Sequence, residues 1–260
     1  MKRLLALLAM LVSATSALAG ITYRFDSTTT GTAGGNLSAV AKVDGANMRI
    51  DFVSGDGLLF KDRSIAVSRD GGRTISVTNP EAKTFYILDA ADLGGLASML
   101  RQFGKLVTIA IENQKVTVRD GGNGGVIEGY PTRRTIVDAS YDIVIDAMGQ
   151  KFRVRTTSHS EHWRTDRIDL SAATFFQGSA TKTGIDALDK LIAAHLAAVK
   201  GFPLKQVTTM RMKVNNAQEM TSSTTITVRG IRNATFAASE FVLPGGYKKV
   251  ASPLEQMLPR

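Results

Sequence analysis

The stretch that decides the fold is residues 105–163, which read KLVTIAIENQKVTVRDGGNGGVIEGYPTRRTIVDASYDIVIDAMGQKFRVRTTSHSEHW. Three long segments of alternating apolar and polar residues are joined by two glycine-bearing turns, Asp120–Gly125 and Ala147–Gln150. In the second segment one strand face carries Thr135, Val137, Ala139, Tyr141, Ile143 and Ile145. A period of two is typical of antiparallel strands with one solvated face. Such long strands favour a curved antiparallel sheet or partial barrel.

Further strands are predicted on both sides of this stretch. They are Ile21–Asp26, Leu37–Val43, Met48–Val53, Ser64–Arg69, Thr74–Thr78 and Lys83–Leu88 before it, and Lys205–Val214 and Gln218–Arg229 after it. No linker-like segment or fixed-period repeat interrupts the pattern. We therefore expect a single domain over residues 20–250, followed by an extended tail over residues 251–260.

Two segments have helical rather than strand periodicity. The first begins at Asp92, an N-cap residue, and ends at Gly104, with an apolar stripe of Leu93, Leu96, Leu100 and Phe103. The second begins at Thr183 and ends at Gly201, with a stripe that includes Ile185, Leu188, Ile192, Leu196 and Val199. A third, short helical turn is predicted near Phe236–Phe241. The predicted fold class is therefore mainly β with α (α+β): a curved antiparallel sheet forming a half-barrel, covered by two or three helices.

The first nineteen residues have the pattern of a cleavable secretory signal. Lys2-Arg3 form a positive region, Leu4–Val12 an apolar region, and Ala17–Ala19 a small-residue cleavage site before Gly20. The apolar run is shorter than a transmembrane helix needs. We therefore expect residues 1–19 to be removed and the mature protein to be periplasmic.

Composition excludes several functions. The chain has no cysteine, so it has no disulfide, thiolate metal site or cysteine nucleophile. Its formal charge of +9 suits an anionic partner, such as a membrane surface in transient contact, but the scattered basic residues favour a solvated basic surface. The basic residues are scattered along strands and the aromatic content is 7%, so we expect no nucleic-acid partner.

No catalytic or metal-binding constellation is apparent. His159 and Glu161 share a strand face while His162 points the other way, so these residues are interpreted as surface groups and not as a chelate. Asp138, Asp142 and Asp146 recur on one face and are interpreted as a wet sheet face. The glycines at Asp120–Gly125 precede a strand and not a helix, so they predict a hairpin and not a phosphate cradle. We expect no enzymatic activity, no metal and no cofactor.

Apolar binding is the remaining chemistry. Aliphatic and methionine side chains lie on the predicted inner faces of strands and helices, and flexible methionine suits adaptable apolar sites. The candidate ligand-binding residues are Met48, Ile50, Phe52, Leu96, Leu100, Leu188, Ile192, Met210 and Met212. Ordinary core packing is the alternative for each of these residues.

Several short motifs, in order, resemble a known family. They are Gly129-Tyr130-Pro131-Thr132-Arg133-Arg134, Trp163, Gly201-Phe202-Pro203-Leu204 and Phe241-Val242-Leu243-Pro244-Gly245-Gly246-Tyr247-Lys248. Over roughly residues 21–250 the chain resembles the DUF4412 family of exported proteins, which are grouped with the LolA/LolB-like fold. The resemblance implies a curved antiparallel sheet closed by helices around an apolar cavity. The lipoprotein carriers have a Lys-Arg-Pro element on an early strand, where this chain has Lys42-Val43-Asp44-Gly45. Lipoprotein carriage itself is therefore not implied.

Two functions follow as expectations. The first is an exported, non-enzymatic binding or carrier protein for an apolar or acyl-bearing ligand, either a lipid or a lipidated protein. The alternative is a structural or interaction protein of the envelope that binds another protein and no small molecule. The first requires accessible apolar surface, and the second requires an exposed sheet edge or patch that a protein partner can cover.

Overall fold

A computed structural model describes residues 20–31, 35–55, 59–89, 107–147, 149–168, 186–215 and 217–253. Twelve strands form one sheet in the order β12-β6-β5-β4-β3-β2-β1-β11-β10-β9-β8-β7. The strands are β1 Gly20–Gly31, β2 Gly35–Asp44, β3 Asn47–Gly55, β4 Ile65–Ser68, β5 Thr74–Asn79, β6 Thr84–Asp89, β7 Val107–Ile127, β8 Tyr130–Ala147, β9 Gln150–Thr165, β10 Phe202–Val214, β11 Met220–Ala234 and β12 Lys248–Lys249. Helix α1 is Asp186–Ala198, and a 3₁₀ helix is Ala238–Phe241.

The predicted α+β class, a half-barrel covered by two or three helices, is wrong. The described part of the chain is nearly all β, and its strands form one open sheet whose order ends at β12 and β7. Its helical content is α1, which lies against β7, and the single turn of 3₁₀ helix. The apolar stripe over residues 183–199 does mark a helix, but a helix beside one end strand does not cover a sheet of twelve strands.

The sheet consists of two successive meanders. Strands β1–β6 pair in chain order, as do β7–β11, and all these pairs are antiparallel. A ladder between β1 and β11 joins the two meanders, and it runs from the pair Gly20–Ala234 to the pair Gly31–Ser222. β12 adds to β6 in parallel. The first and the eleventh strands therefore lie at the middle of the sheet.

The sheet has a core face, defined as the face that carries Tyr23 and Phe25. In the first meander this face is closely packed, and its buried side chains include Ala39, Ala41, Met48, Ile50, Phe52, Ala66, Val77 and Leu88. Phe202 of β10 joins the same cluster, and its ring meets that of Tyr23 edge to face at 5.3 Å between centroids. The opposite, polar face carries Arg24 and Asp26, as the period of two requires.

The hairpin between β7 and β8 turns at a different place from the predicted one. The glycine-rich run 120–125 stays within β7, where the pairing with β8 shifts register between Asp120 and Asn123 and again between Asn123 and Val126. The chain reverses at Glu128-Gly129, with φ of 52° and 80°. Positive φ at both central residues is the geometry of a two-residue type I′ hairpin. The glycines therefore form β-bulges, which bend a strand and increase its twist.

The tip of this hairpin contacts the middle of the sheet. Glu128 Oε2 accepts a hydrogen bond from the backbone N–H of Gly230 on β11, at 2.7 Å. In the sheet order β9 and β10 lie between β8, which follows the turn, and β11. Ile127 and Tyr130, which flank the turn, pack against the core cluster. The bulged end of the second meander is thus folded towards the first.

Some predicted features lie outside the described residues. These are the signal segment 1–19, the helix over residues 92–103 with Leu96 and Leu100, and residues 254–260 of the tail. Among the residues that the structure describes, no helix has both the length and the apolar character needed to cross a membrane.

Candidate functional site

The core face of the second meander is polar near its middle and apolar at the end that carries Ile143 and Met212, where it is packed less completely. One rung of side chains crosses four strands through the pairs Ile111–Ile143, Ile143–Val154 and Val154–Val214. With their neighbours these residues form what we call the distal apolar patch: Ile111, Ile143, Phe152, Val154, Met210, Met212 and Val214. None of these side chains is fully buried, and Phe152 is 40% exposed. The same face of β1–β6 is buried in the core cluster, together with Ile168, Phe202, Leu204 and Val228.

The predicted ligand-binding residues that the structure describes fall into three groups; Leu96 and Leu100 lie outside the described ranges. Met48, Ile50 and Phe52 are buried on β3 within the packed core cluster, and Phe52 stacks on Phe60 at 4.7 Å between ring centroids. Met210 and Met212 lie on β10 in the distal apolar patch. Leu188 and Ile192 belong to α1. The core packing gives the β3 residues a structural role, and a contact between ligand and Met210 or Met212 stays a prediction.

The polar face of the second meander contains a concavity of about 770 Å³. Its charged lining residues come from four neighbouring strands: Lys115, Arg119, Asp138, His159 and Arg211. These positions face the same way because the pairs Thr117–Asp138, Asp138–His159 and His159–Thr209 lie on one rung. The concavity is therefore polar and rich in cations, unlike the patch on the other face.

His159 lies at the centre of an ion-pair network in this concavity. Its Nδ1 is 2.6 Å from Asp138 Oδ1, and its Nε2 is 3.4 Å from Glu161 Oε1. Arg119 binds the other side of Asp138 at 2.8 Å, and Arg134 binds Glu161 at 2.5 Å. The hydrogen bond with Asp138, then that with Glu161, raises the pKa of His159. Both ring nitrogens are occupied, so this histidine is a poor base and a poor metal ligand.

The network ends at the single tryptophan of the chain, Trp163. The Arg134 guanidinium lies 5.5 Å from the centre of the Trp163 ring, and Lys205 Nζ lies 4.7 Å from it. Cations over an indole face are stabilised by the negative potential of the ring. Trp163 is therefore held by cations and not presented as an open stacking platform.

A second charged cluster surrounds Asp142, whose side chain is 4% exposed. It accepts hydrogen bonds from Asn113 Nδ2 at 2.8 Å, from Arg153 Nη1 at 2.7 Å and from Arg155 Nε at 3.4 Å. Arg153 also binds Glu112 at 2.9 Å. The hydrogen bond from Asn113 and then that from Arg153 hold the pKa of Asp142 below its ordinary value. The interpretation of this residue as part of a wet face is therefore wrong.

The charged residues of both clusters are paired with one another. In the described ranges, no group of three or more histidine, aspartate or glutamate side chains is arranged to hold a metal ion. The sequence predicts that His159 and His162 on β9 are surface groups. For His162 this prediction is wrong, because its side chain is buried on the core face. The alternation of β9 already separated the two faces. The burial of His162, by contrast, depends on the packing of strands distant in the sequence.

Three comparisons with known proteins place this chain beside what is already solved or curated. No family model matches the chain and no curated protein matches it, so the DUF4412 family is not shown. A crystal structure of a LolA superfamily protein from Nitrosomonas europaea matches with a TM-score of 0.31 and 7% sequence identity, over 86% of this chain and 90% of that chain. At this TM-score the likeness carries no argument about the fold, and the resemblance to the LolA/LolB-like fold stays an expectation. A TM-score and an identity this low carry no argument about the ligand.

Proposed function

We propose that this protein is an exported, non-enzymatic binding or carrier protein of the periplasm, and that its distal apolar patch holds an acyl-bearing ligand. The observation that carries the proposal is the difference between the two halves of the core face. The apolar side chains of β1–β6 are buried in the core cluster, whereas the apolar side chains of the distal apolar patch stay partly exposed. Exposed apolar surface on a protein favours a partner that removes it from water.

The shape and composition of the patch suit an acyl chain. The rung from Ile111 to Val214 spans four strands, which is about 14 Å at roughly 4.8 Å between neighbouring strands. Met210 and Met212 have flexible side chains that adapt to ligands of different shape. The ligand is a lipid or a lipidated protein, and its delivery involves transient contact with a membrane surface.

A matched pair of variants tests the proposal. Ile143→Asp places a carboxylate in the patch, whereas Val144→Asp places the same group at the adjacent position on the polar face, opposite Arg153. We expect the delipidated protein and Val144→Asp to bind a fluorescent fatty acid that oleate displaces. Ile143→Asp is expected to bind it at least tenfold more weakly, with thermal melting as the check that both variants are folded. Absence of binding by the unmodified protein, or equal binding by the two variants, would refute the proposal.

The alternative function, an envelope protein that binds another protein, is favoured less. It requires an exposed apolar patch or a sheet edge that a protein partner can cover, and β7 is the end strand next to β8 in the described sheet. The pairing of β7 with β8 shifts register three times, and bulges of this kind protect an edge against further pairing. Recovery of a stoichiometric protein partner by a tagged copy, together with failure of the fatty-acid assay, would favour this alternative.

A further inference from the structure

A separate concavity, of about 360 Å³, lies where β8 begins and β9 ends. Its backbone walls are Pro131-Thr132 on one side and Thr165 and Gly201 on the other. Four cationic side chains line it, with Asp166 as the acidic one: Arg133, Arg164, Arg167 and Lys200. A buried guanidinium, that of Arg164, distinguishes this pocket from the concavity around His159.

Arg164 is the unusual member of the group, because its side chain is buried without a countercharge. The residue is 9% exposed, and its Nη1 donates a hydrogen bond to the carbonyl oxygen of Gly201 at 2.9 Å. Its Nε is buried and has no hydrogen-bond partner within the described ranges, where no carboxylate lies within ion-pair distance of the guanidinium. Burial lowers the pKa of Arg164 to about 10, so the group stays charged at neutral pH. A buried, unpaired charge is costly unless a counterion joins it.

The other cations of the pocket are either weakly paired or without an ion-pair partner among the described residues. Arg133 binds Asp120 and Arg167 lies 3.7 Å from Asp166, and both pairs are well exposed to solvent. Exposed pairs of this kind are weak and exchange partners readily. Lys200 is exposed and takes part in no ion pair within the described residues.

We propose that this pocket binds a phosphate group, with Arg164 as the buried anchor and Lys200 as the cation at the mouth. A guanidinium presents paired N–H donors that match two oxygens of a phosphate, and a desolvated site strengthens each of these bonds. Arg133 and the patch residue Ile143 are ten positions apart on β8, about 33 Å at roughly 3.3 Å per residue. The pocket therefore stands independently of the proposed acyl site.

Thermal unfolding in inorganic phosphate, against chloride at equal ionic strength, tests the proposal. For the unmodified protein we expect a saturable rise in Tm of about 3 °C at ten times the Kd. Arg164→Met is expected to abolish this response and to raise the Tm in chloride, because it removes the uncompensated charge. Lys200→Gln, an exposed change that leaves Arg164 in place, is expected to weaken phosphate binding at least threefold. Lys213→Gln, on the exposed end of β10, is the control and is expected to respond like the unmodified protein.

Vesicles distinguish free phosphate from a lipid headgroup. If the phosphate belongs to a lipid, the protein selects vesicles that contain phosphatidylglycerol over pure phosphatidylcholine, and Arg164→Met and Lys200→Gln lose this selection while Lys213→Gln keeps it. If the ligand is free phosphate, the Tm response occurs without vesicle selection. Absence of both responses, or responses equal in all three variants, would overturn the proposal.

Discussion

Asp142 on β8 is almost fully buried, yet it accepts a hydrogen bond at 2.7 Å from Arg153, whose guanidinium reaches the solvent. Replacement of Asp142 by alanine leaves Asn113 without its acceptor and three neighbouring strands without their common ion. We expect Asp142→Ala to lower the free energy of unfolding by about 1–3 kcal/mol. Glu219→Ala removes a carboxylate that is 4.0 Å from Arg211 and exposed, so its effect is expected within about 0.5 kcal/mol. Urea unfolding of both variants measures the difference, and equal losses would contradict the cluster's role.

The same carboxylate predicts an acid-dependent loss of stability. Hydrogen bonds from Asn113 and then from Arg153 hold the folded-state pKa of Asp142 below the unfolded value of about 3.9. Because the pKa is lower in the folded state, the charged carboxylate stabilises the fold at pH values above the unfolded-state pKa. This contribution disappears as the pH falls through the folded-state pKa. The stability gap between the unmodified protein and Asp142→Asn is therefore expected to be largest above about pH 5 and to close towards pH 2. Urea midpoints at each pH measure it, and a gap that does not vary with pH would refute the assignment.

His159 predicts the opposite dependence. Asp138 and then Glu161 raise its pKa above the ordinary value of about 6.5, so its charged form stabilises the fold. That contribution is complete below the unfolded pKa and is lost as the pH rises through the folded value. We expect the Tm of the unmodified protein to exceed that of His159→Gln at pH 5.5 and to converge with it by about pH 9. The side chain is about half exposed, so the gap is small, and a gap that widens with rising pH would contradict the network.

Two positions on β3 separate core packing from surface. Ile50 is fully buried in the core cluster, whereas Val53 is 55% exposed. We expect Ile50→Ala to cost about 2–5 kcal/mol of unfolding free energy, because it removes three buried carbons and leaves a cavity. Val53→Ala is expected to change stability by about 0.5 kcal/mol or less. Denaturant unfolding measures both, and a small effect of Ile50→Ala would argue against a filled core at this strand.

The close approach of Gly124 to Trp163 leads to a prediction that tryptophan fluorescence can test. A Cβ on Gly124 would lie 2.5 Å from Thr132 Oγ1 and 2.8 Å from Trp163 Cδ1, both well inside contact distance. Gly124→Ala is therefore expected to move the indole, to shift the fluorescence maximum and to destabilise the protein by about 1–3 kcal/mol. Gly245→Ala is the control, because its Cβ would meet open space. The chain has one tryptophan, so the signal has a single source. An unchanged spectrum in Gly124→Ala would contradict the close approach.

The strands were predictable because their evidence is local. The alternation of Val137, Tyr141 and Ile143 with polar neighbours identifies both the strand and its apolar face without knowledge of any partner. The turn at Glu128-Gly129 was missed because a longer glycine run stands just before it. Glycine supplies bulges as readily as turns, and the choice between them depends on how closely Trp163 and Arg134 approach.

The charged sites were not predictable in the same way. Asp138 and Asp142 look alike in the sequence, since both occupy polar positions of the same strand. Their partners lie on β7 and β9, and which residues stand opposite them depends on the register between the strands. Arg164 is one of many scattered basic residues until packing around Gly201 buries it. The helical cover was overestimated because an apolar stripe shows that a segment is helical and not how much of the sheet it reaches.

The ladder between β1 and β11 has a consequence for how the chain acquires its structure. Every other antiparallel pair except β9–β10 joins segments that are close in sequence, so each meander can form from hairpins as it emerges. The β1–β11 ladder joins Gly20 to Ala234, so it waits until nearly the whole chain is present. Closing so long a loop is slow relative to local pairing. Until that moment both strands present open edges, and the newly made chain is at its most vulnerable to aggregation and proteolysis.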